Sequence, residues 1–275
     1  MNYAITATLG PGSATRAAWE GMLAAGVTGL RLNTSHLSLS QLQDWLERLD
    51  PFLSSLERRP HLVLDLQGSK WRLGDFAPCE LAAGQSIELV YALSTGRAGV
   101  LPVPHTDFFS AAPVSSREVV LNDAKVRLQV ETIQSERVTA RVTLGGSLAP
   151  HKGITFTASD YRQEHLSAKD QSIVDLTRPL PMIQYAISYL RDAAETQKYR
   201  DLLGAPAYLI AKLERRPAIA DALLIAAAAN ELWLCRGDLG PSWASETWPK
   251  PSTNFPEESE TSAGRSFWRD RCWST

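Results

Sequence analysis

The sequence predicts an α/β fold in which a parallel sheet is interrupted by an all-β insertion. Short apolar runs alternate with helical patterns on both sides of the insertion, which is typical of repeated strand–helix units. Between about Gly74 and Lys152 the pattern changes to short β-type segments separated by glycine, proline and Asn-Asp. Six strand–helix units are predicted outside this insertion.

The spacing of apolar residues predicts the individual elements. Before the insertion, strands are predicted at residues 3–9, 27–32 and 61–66, and helices at 14–25 and 40–56. The insertion has predicted strands at 86–91, 118–121, 125–131 and 137–144. After it, helices are predicted at 167–176, 192–203 and 217–229, and strands at 182–188, 207–213 and 231–235.

These patterns divide the chain into four segments. Residues 1–73 and 154–240 form the two parts of the α/β fold, and residues 74–153 form the inserted β domain. Residues 241–275 are rich in Ser, Pro, Glu and Trp and follow neither a period of two nor one of 3.6. We expect this tail not to continue the fold, and to be disordered or encoded out of frame.

Composition excludes several classes of protein. A hydrophobic fraction of 44% in 275 residues is enough for one large domain or two smaller ones with their own cores. A net charge of −2 with interspersed acids and bases argues against a nucleic-acid surface or a membrane-binding patch. The three cysteines lie far apart without metal-ligand spacing, and no apolar stretch approaches a membrane span. We therefore expect a cytoplasmic protein without disulfides.

Polar residues follow the first two predicted strands, at the edge that carries active sites in α/β barrels. Residues 8–13 form a glycine-rich turn whose N–H groups can hold phosphate, although such turns also occur wherever a chain reverses. Residues 31–36 (Arg-Leu-Asn-Thr-Ser-His) combine a guanidinium, an amide, two hydroxyls and an imidazole. Alternatively, Asn33 and Ser35 are only a turn and a helix cap. Five such groups together favour a site.

Charged residues also follow later strands. Residues 65–72 (Asp-Leu-Gln-Gly-Ser-Lys-Trp-Arg) form either part of a site or the hairpin entrance to the insertion. Glu214 and Asp238 leave neighbouring strands on the same edge, where their carboxylates suit Mg²⁺ or Mn²⁺. Lys212 can offer a positive charge to a migrating phosphoryl group, but a surface Lys-Glu pair is an equal alternative.

Taken in order, these segments resemble the pyruvate kinase family from residue 3 to residue 240. The resemblance includes residues 121–126 (Leu-Asn-Asp-Ala-Lys-Val) and 145–148 (Gly-Gly-Ser-Leu), followed by Lys152-Gly153. It implies an incomplete TIM (β/α) barrel with an inserted small all-β barrel domain. It also implies an enzyme of glycolysis that transfers a phosphoryl group from phosphoenolpyruvate to ADP, giving pyruvate and ATP.

The same resemblance implies roles for individual residues. Lys212, Arg31 and Arg72 would be catalytic, and Glu214 and Asp238 would hold Mg²⁺ or Mn²⁺. Further implied residues are Ser188, Gly237 and Asp238 for the substrate, His36, Lys152 and Asn33 for the nucleotide, and Asn33, Ser35, Asp65 and Leu66 for K⁺.

The predicted cation site differs from the family at three positions. Lys70 stands where potassium-dependent members carry glutamate, and its ammonium can supply the charge that K⁺ provides. We therefore predict potassium-independent behaviour. Leu66 replaces the threonine common at this site, and Ser69 replaces the usual proline.

After Gly240 the sequence does not resemble the family, which continues with two more strands and a regulatory domain. Moving the reading frame back by one nucleotide makes residues 241–244 compatible with Pro-Glu-Leu-Gly. The same shift makes residues 263–274 compatible with the family's seventh strand. We hypothesise that residues 241–275 are encoded out of frame, which an intact single frame on resequencing would contradict.

Two alternatives compete with a phosphotransferase. A barrel lacking two strands leaves sheet edges unpaired and apolar faces exposed, as expected of an inactive pseudoenzyme or gene remnant. A metal-dependent aldolase or lyase of the phosphoenolpyruvate/pyruvate barrel group also uses Glu and Asp from adjacent strands. The expected partners are phosphoenolpyruvate and ADP or ATP, with no nucleic acid and no membrane. The family forms homo-oligomers, which we do not expect here.

Overall fold

The computed structural model of the protein describes residues 4–113, 117–122, 125–156, 166–235 and 268–270. These residues form a parallel sheet with helices between its strands, and an inserted domain built mainly on an antiparallel sheet. Within these ranges, no helix has the length and apolar character needed to cross a bilayer.

The first part of the α/β fold alternates strands and helices. Its elements are β1 (Thr6–Leu9), α1 (Arg16–Ala24), β2 (Gly29–Asn33), α2 (Leu39–Ser54) and β3 (His61–Leu66). Side chains cap both helices: Thr15 accepts the N–H of Ala18, and Ser38 and Gln41 form a capping box. Both helices therefore begin close to the predicted residues.

The insertion forms a β domain with its own core. Its elements are β4 (Cys79–Leu81), β5 (Ser86–Val90), β6 (Val100–Pro102), α3 (Thr106–Ala111), β7 (Glu118–Leu121), β8 (Val126–Gln134), β9 (Arg137–Leu144), β10 (Gly146–Leu148) and β11 (Ile154–Phe156). One sheet has the order β11-β7-β8-β9-β5-β6, and β10 pairs with β4. Aromatic packing of Trp71 on Phe108, and of Phe108 on Phe156, fills this core. The sheet thus extends to Phe156, past the boundary placed at residue 153.

The second part of the α/β fold resumes the alternation. Its elements are α4 (Ala168–Thr177), β12 (Ile183–Ile187), α5 (Ala193–Leu203), β13 (Tyr208–Leu213), α6 (Arg216–Ala220), α7 (Ala222–Ala228), β14 (Glu231–Leu234) and β15 (Trp268–Asp270). The sequence predicts one helix at 217–229, whereas the structure has two, separated at Asp221. The Asp221 carboxylate accepts the N–H of Ala193 at the start of α5, a tertiary contact that periodicity does not reveal.

The described strands of both parts of the α/β fold form one parallel sheet in the order β1-β2-β3-β12-β13-β14-β15. Side chains alternate between its two faces. On β3, Leu62, Leu64 and Leu66 pack in the core between sheet and helices, whereas Val63 packs with strand residues on the other face. Asp65 shares the face of Val63, so this inner face carries the polar residues at the strand ends.

The tail differs from its prediction at one point. We expected residues 241–275 not to continue the fold, but β15 pairs in parallel with β14, with Trp268 opposite Leu232 and Asp270 opposite Leu234. Three residues of the tail therefore occupy the seventh strand position of the sheet. The rest of the tail lies outside the described residues.

Candidate active site

The centre of the candidate site is the carboxylate of Asp65, near the end of β3. Arg31 donates to Asp65 Oδ2 through Nε at 2.8 Å and through a second guanidinium N–H. Lys212 Nζ lies 3.2 Å from both carboxylate oxygens, and Ser188 Oγ donates to Oδ1 at 3.0 Å. Lys212 also donates to Ser188 Oγ at 3.0 Å. The structure thus brings together side chains from four predicted site positions.

Strand register explains why these residues meet. Asp65 lies opposite Asn33 of β2 and Ala186 of β12. Arg31 precedes Asn33 by two residues and Ser188 follows Ala186 by two, so both side chains face the same side of the sheet as Asp65. Because all these strands are parallel, their polar ends gather at one edge.

The charges in this cluster keep one another ionised. Burial alone would raise the pKa of Asp65, but the ammonium of Lys212 and the guanidinium of Arg31 lower this pKa to about 2. Burial would likewise lower the pKa of Lys212, yet the carboxylates of Asp65 and Glu214 raise it well above its ordinary value. Lys212 is therefore a buried lysine that stays protonated at neutral pH.

Glu214 is the carboxylate that the sequence predicts as a metal ligand. It is 3% exposed, its Oε1 lies 2.7 Å from Lys212 Nζ, and its Oε2 accepts the N–H of Tyr189 at 2.7 Å. The other predicted ligand, Asp238, and the predicted substrate residue Gly237 lie outside the described residues. Among the residues that are described, no three His, Cys, Asp or Glu side chains are grouped to hold a metal. A single buried carboxylate still fits Mg²⁺, which commonly takes one or two carboxylates beside phosphate and water oxygens.

A cationic group of residues lies where the sheet edge meets the inserted domain. Arg72 donates to Ser35 Oγ at 2.9 Å and to the carbonyl of His151 at 2.9 Å. Lys169, at the start of α4, donates to the carbonyl of Ser35 at 3.2 Å. Sequence reasoning missed Lys169, because residues 167–170 (Ser-Ala-Lys-Asp) indicate only a helix start.

His36 lies within the field of these cations. Burial, followed by the charges of Arg72, Lys152 and Lys169, lowers the pKa of the His36 imidazole below its ordinary value. The charges of Arg72, Lys152 and Lys169 thus all act on His36, and together they would favour an anionic ligand. The predicted nucleotide residues His36 and Lys152 thus lie near one another, on the side of the site that faces the insertion.

The side chains of the residues predicted for a monovalent cation do not all face the inner side of the sheet. The Leu66 side chain lies in the core between sheet and helices, so any contribution of Leu66 to the predicted cation site would come from its backbone. Its position in the strand alternation requires this outward direction, and its carbonyl accepts the N–H of Ser188 at 3.4 Å. Asn33 Oδ1 accepts the N–H of Ser35 at 3.2 Å, as in the turn alternative. Lys70 Nζ lies 5.9 Å from the ring centroid of Tyr189, and the lysine that pairs with Asp65 is Lys212.

The first glycine-rich turn is largely self-contained. The N–H of Gly10 is accepted by Ser13 Oγ at 3.0 Å, which favours the chain-reversal alternative over a phosphate loop. Thr8, just before the turn, faces the inner side of the sheet, where its Oγ1 accepts an N–H of Arg31 at 2.7 Å.

The loop after β3 is fixed by Asp170 of α4. The Asp170 carboxylate accepts the N–H groups of Gln67 at 3.2 Å and Gly68 at 3.0 Å. Gly68 has a φ of 58° and packs against the backbone of Ser188, where an added Cβ would overlap the carbonyl oxygen. Gly68 therefore allows the loop that carries Asp65 to approach the loop that carries Ser188.

Replacing this glycine is expected to destabilise the protein strongly. Gly68→Ala combines a left-handed backbone with a clash, and we expect the free energy of unfolding to fall by about 3–5 kcal/mol. Gly84→Ala is the matched control, because Gly84 has a φ of 86° but open space around its Cβ position. We expect about 1–2 kcal/mol for this control in urea unfolding experiments. Equal losses in the two variants would show that the Gly68–Ser188 approach is not restrictive.

A buried polar cluster at the carboxyl ends of parallel strands is typical of the α/β-barrel class, in which active sites lie at this edge. Comparison with known proteins is more specific. Residues 1–247 match the family described as "Pyruvate kinase, barrel domain". The chain belongs to the pyruvate kinase family. The match confirms the predicted resemblance and runs past the boundary that we placed at residue 240.

Individual relatives agree with this assignment. The chain is 31% identical over 250 residues to a pyruvate kinase of Aeropyrum pernix, covering 90% of this chain and 53% of that protein. It is 28% identical over 239 residues to a pyruvate kinase of Agrobacterium vitis, covering 86% of this chain and 49% of that protein. The chain therefore spans about half the length of the curated relatives it matches.

A solved structure supports the fold. The crystal structure of Cryptosporidium parvum pyruvate kinase superposes with a TM-score of 0.77 at 20% sequence identity, covering 86% of this chain and 52% of that chain. At this identity the likeness concerns the fold alone. It confirms the predicted α/β barrel class.

Proposed function

We propose that the site transfers a phosphoryl group between phosphoenolpyruvate and ADP, giving pyruvate and ATP. The observation that carries this proposal is the buried Lys212 ammonium, held among Asp65, Ser188 and Glu214 beside the guanidinium of Arg31. Phosphoryl transfer depends chiefly on positioning and on neutralising charge at the transferred group. A fixed cation in a water-poor site meets both needs.

Lys212 has the role of holding the transferred group. Its ammonium carries three N–H donors, and Asp65, Ser188 and Glu214 accept them in the structure. To engage a phosphoryl oxygen, Lys212 exchanges one of these contacts for the substrate. The remaining contacts keep its nitrogen in place, so little reorganisation accompanies the reaction.

Arg31 and Arg72 have complementary roles in the proposal. Arg31 is held by Asp65 and Thr8 on the inner face of the sheet, close to Lys212, and orients the phosphate of phosphoenolpyruvate. Arg72 lies on the side of the inserted domain, with Lys169 and Lys152 nearby, and binds the phosphates of the nucleotide. The two substrates then approach Lys212 from opposite sides.

The proposed cofactor is Mg²⁺ or Mn²⁺, held by Glu214 and Asp238. The ion supplies additional positive charge to substrate oxygens when it is bound. Glu214 contributes a buried oxygen ligand oriented by the N–H of Tyr189. We retain the prediction of potassium independence as part of this proposal, since the ammonium of Lys70, beside Tyr189, can supply the positive charge that K⁺ would provide.

The proposal places the protein in glycolysis in the cytoplasm, with small molecules as its partners. Activity is measured as pyruvate release from phosphoenolpyruvate, ADP and Mg²⁺, with and without K⁺. Turnover that requires ADP and the divalent ion, and continues without K⁺, is the expected result. Pyruvate release that does not depend on ADP would instead indicate a lyase. Cooperative unfolding without any turnover would indicate an inactive member of the family.

Removing the charge of Glu214 is expected to weaken metal binding more than it destabilises the fold. We expect Glu214→Gln to weaken Mn²⁺ binding, measured by electron paramagnetic resonance, by about tenfold to a hundredfold, since a neutral amide is a poorer ligand than a carboxylate. Glu231→Gln is the matched control: Glu231 is also buried, on the adjacent strand, but bonds to Trp233 Nε1 and the Tyr208 hydroxyl. Equal weakening in both variants would contradict a ligand role for Glu214.

A further inference from the structure

Tyr189 lies beside the site and forms hydrogen bonds through its N–H, its carbonyl and its hydroxyl. The sequence analysis assigned no role to this residue. Its N–H donates to Glu214 Oε2 at 2.7 Å, and its carbonyl accepts Ser69 Oγ at 2.9 Å. Its hydroxyl donates to Thr155 Oγ1 at 3.1 Å. One residue therefore contacts the predicted metal ligand, the loop after β3 and the inserted domain.

The backbone of Tyr189 is held in an unusual conformation. Its φ is 66°, in the left-handed region that bulky residues rarely adopt. Such a conformation persists where the surroundings over-determine it, and it is common at functional sites. The ring supplies further contacts, since the Arg215 guanidinium lies 5.0 Å and the Lys70 ammonium 5.9 Å from its centroid.

Thr155 lies on β11, at the point where the inserted domain returns to the α/β fold. Here two backbone hydrogen bonds join the outgoing and returning chains: Leu73 N–H to the carbonyl of Lys152 at 3.0 Å, and Ile154 N–H to the carbonyl of Trp71 at 3.1 Å. The hydroxyl pair of Tyr189 and Thr155 adds a side-chain bond beside this junction. Tyr189 is therefore bonded directly to a strand of the inserted domain.

We propose that Tyr189 is a positioning residue that couples the placement of the inserted β domain to the orientation of the Glu214 carboxylate. The Tyr189 hydroxyl bonds Thr155 of the inserted domain, and the Tyr189 N–H bonds the Glu214 carboxylate. The backbone between them has little freedom, because the ring and the carbonyl are also held. The inference rests on the proposed function only for the metal role of Glu214.

Amide hydrogen exchange at residue 189, followed by NMR, tests the coupling without any catalysis. Tyr189→Phe removes only the hydroxyl, and we expect it to accelerate exchange of the residue 189 amide by about two- to tenfold, the effect of one lost hydrogen bond. Thr155→Val is expected to give the same acceleration, because it removes the partner hydroxyl. Thr155→Ser keeps a hydroxyl and should exchange at the wild-type rate. The double variant Tyr189→Phe/Thr155→Val should exchange no faster than either single variant.

Tyr185→Phe is the matched control. Tyr185 also bonds a threonine hydroxyl, that of Thr177 at 2.9 Å, but between β12 and α4 on the helix side of the sheet. This variant should lose comparable stability and leave exchange at residue 189 unchanged. An unchanged rate in Tyr189→Phe, equal acceleration in Tyr185→Phe, or additive effects of the Tyr189 and Thr155 variants would overturn the coupling.

Mn²⁺ affinity separates this inference from the proposed function. If Glu214 binds the ion, Tyr189→Phe should weaken binding by about the same factor as the exchange rate changes, while Tyr185→Phe should not. If the wild-type protein binds no Mn²⁺, the metal role of Glu214 fails. The exchange experiment then still decides whether Tyr189 links the domain to the carboxylate.

Discussion

Lys212→Met is expected to lower the turnover number for pyruvate formation by about a thousandfold or more. A preorganised charge at the transferred group is worth at least this factor in phosphoryl transfer. Methionine preserves much of the side-chain volume, so the loss reports the charge rather than the packing. The KM values for phosphoenolpyruvate and ADP should change much less, because Arg31 and Arg72 retain their positions.

The measurement is steady-state pyruvate release, accompanied by thermal unfolding and Mn²⁺ binding. The variant also leaves Asp65 and Glu214 without their shared cation, so a lower melting temperature is expected. Mn²⁺ binding should persist, because Glu214 no longer pairs with an ammonium. Lys198→Met on the exposed face of α5 is the control and should retain activity. Turnover within tenfold of wild type in Lys212→Met would refute the assigned role.

The sequence predicted the longer strands well because the strand signal is local, whereas the three-residue strands β4, β6, β10 and β11 were not among the predicted segments. The ends of β3, β7 and β9 coincide with the predicted ends, and most others lie within a few residues. The reason is the composition of the segments, short apolar or β-branched runs bounded by Gly, Pro and polar residues. The division of residues 217–229 was missed because it depends on a contact between Asp221 and the start of α5.

The sequence identified those site residues that lie at strand ends and face the inner side of the sheet. Arg31, Asp65 and Lys212 were identified because a charged residue at the end of an apolar run is conspicuous, whereas Ser188 was implied only by the family resemblance. Leu66 was named for the cation site from the family resemblance alone, and alternation along β3 places its side chain on the face opposite to that of its neighbour Asp65.

The supporting residues were missed for a different reason. Asp170, Lys169 and Tyr189 lie outside the strands, and their functions arise from contacts with residues at least 25 positions away in the chain. No periodicity or spacing encodes such contacts. They become visible only when the loops are placed against one another, as at the close approach of Gly68 and Ser188.

Asp65→Asn is expected to lower the free energy of unfolding by about 3–5 kcal/mol at pH 7. The substitution keeps the shape of the side chain but leaves Arg31 and Lys212 without the carboxylate between them, and an uncompensated buried charge has a cost of this size. Urea unfolding of both proteins measures the difference. Asp175→Asn, at an exposed position on α4, is the control and should change stability by less than about 0.5 kcal/mol.

The pH dependence of this difference in unfolding free energy shows whether the charge of Asp65 causes it. The pKa of Asp65 is about 2 in the folded protein, below its ordinary value of 3.8, so its stabilisation is complete above about pH 4 and disappears as the pH falls through 2. The gap between wild type and Asp65→Asn should therefore narrow by about 2 kcal/mol between pH 5 and pH 2. A gap that does not change with pH would mean that Asp65 contributes through packing or neutral hydrogen bonds. The electrostatic account of Lys212 would then fail as well, since the raised pKa of Lys212 depends first on the Asp65 charge.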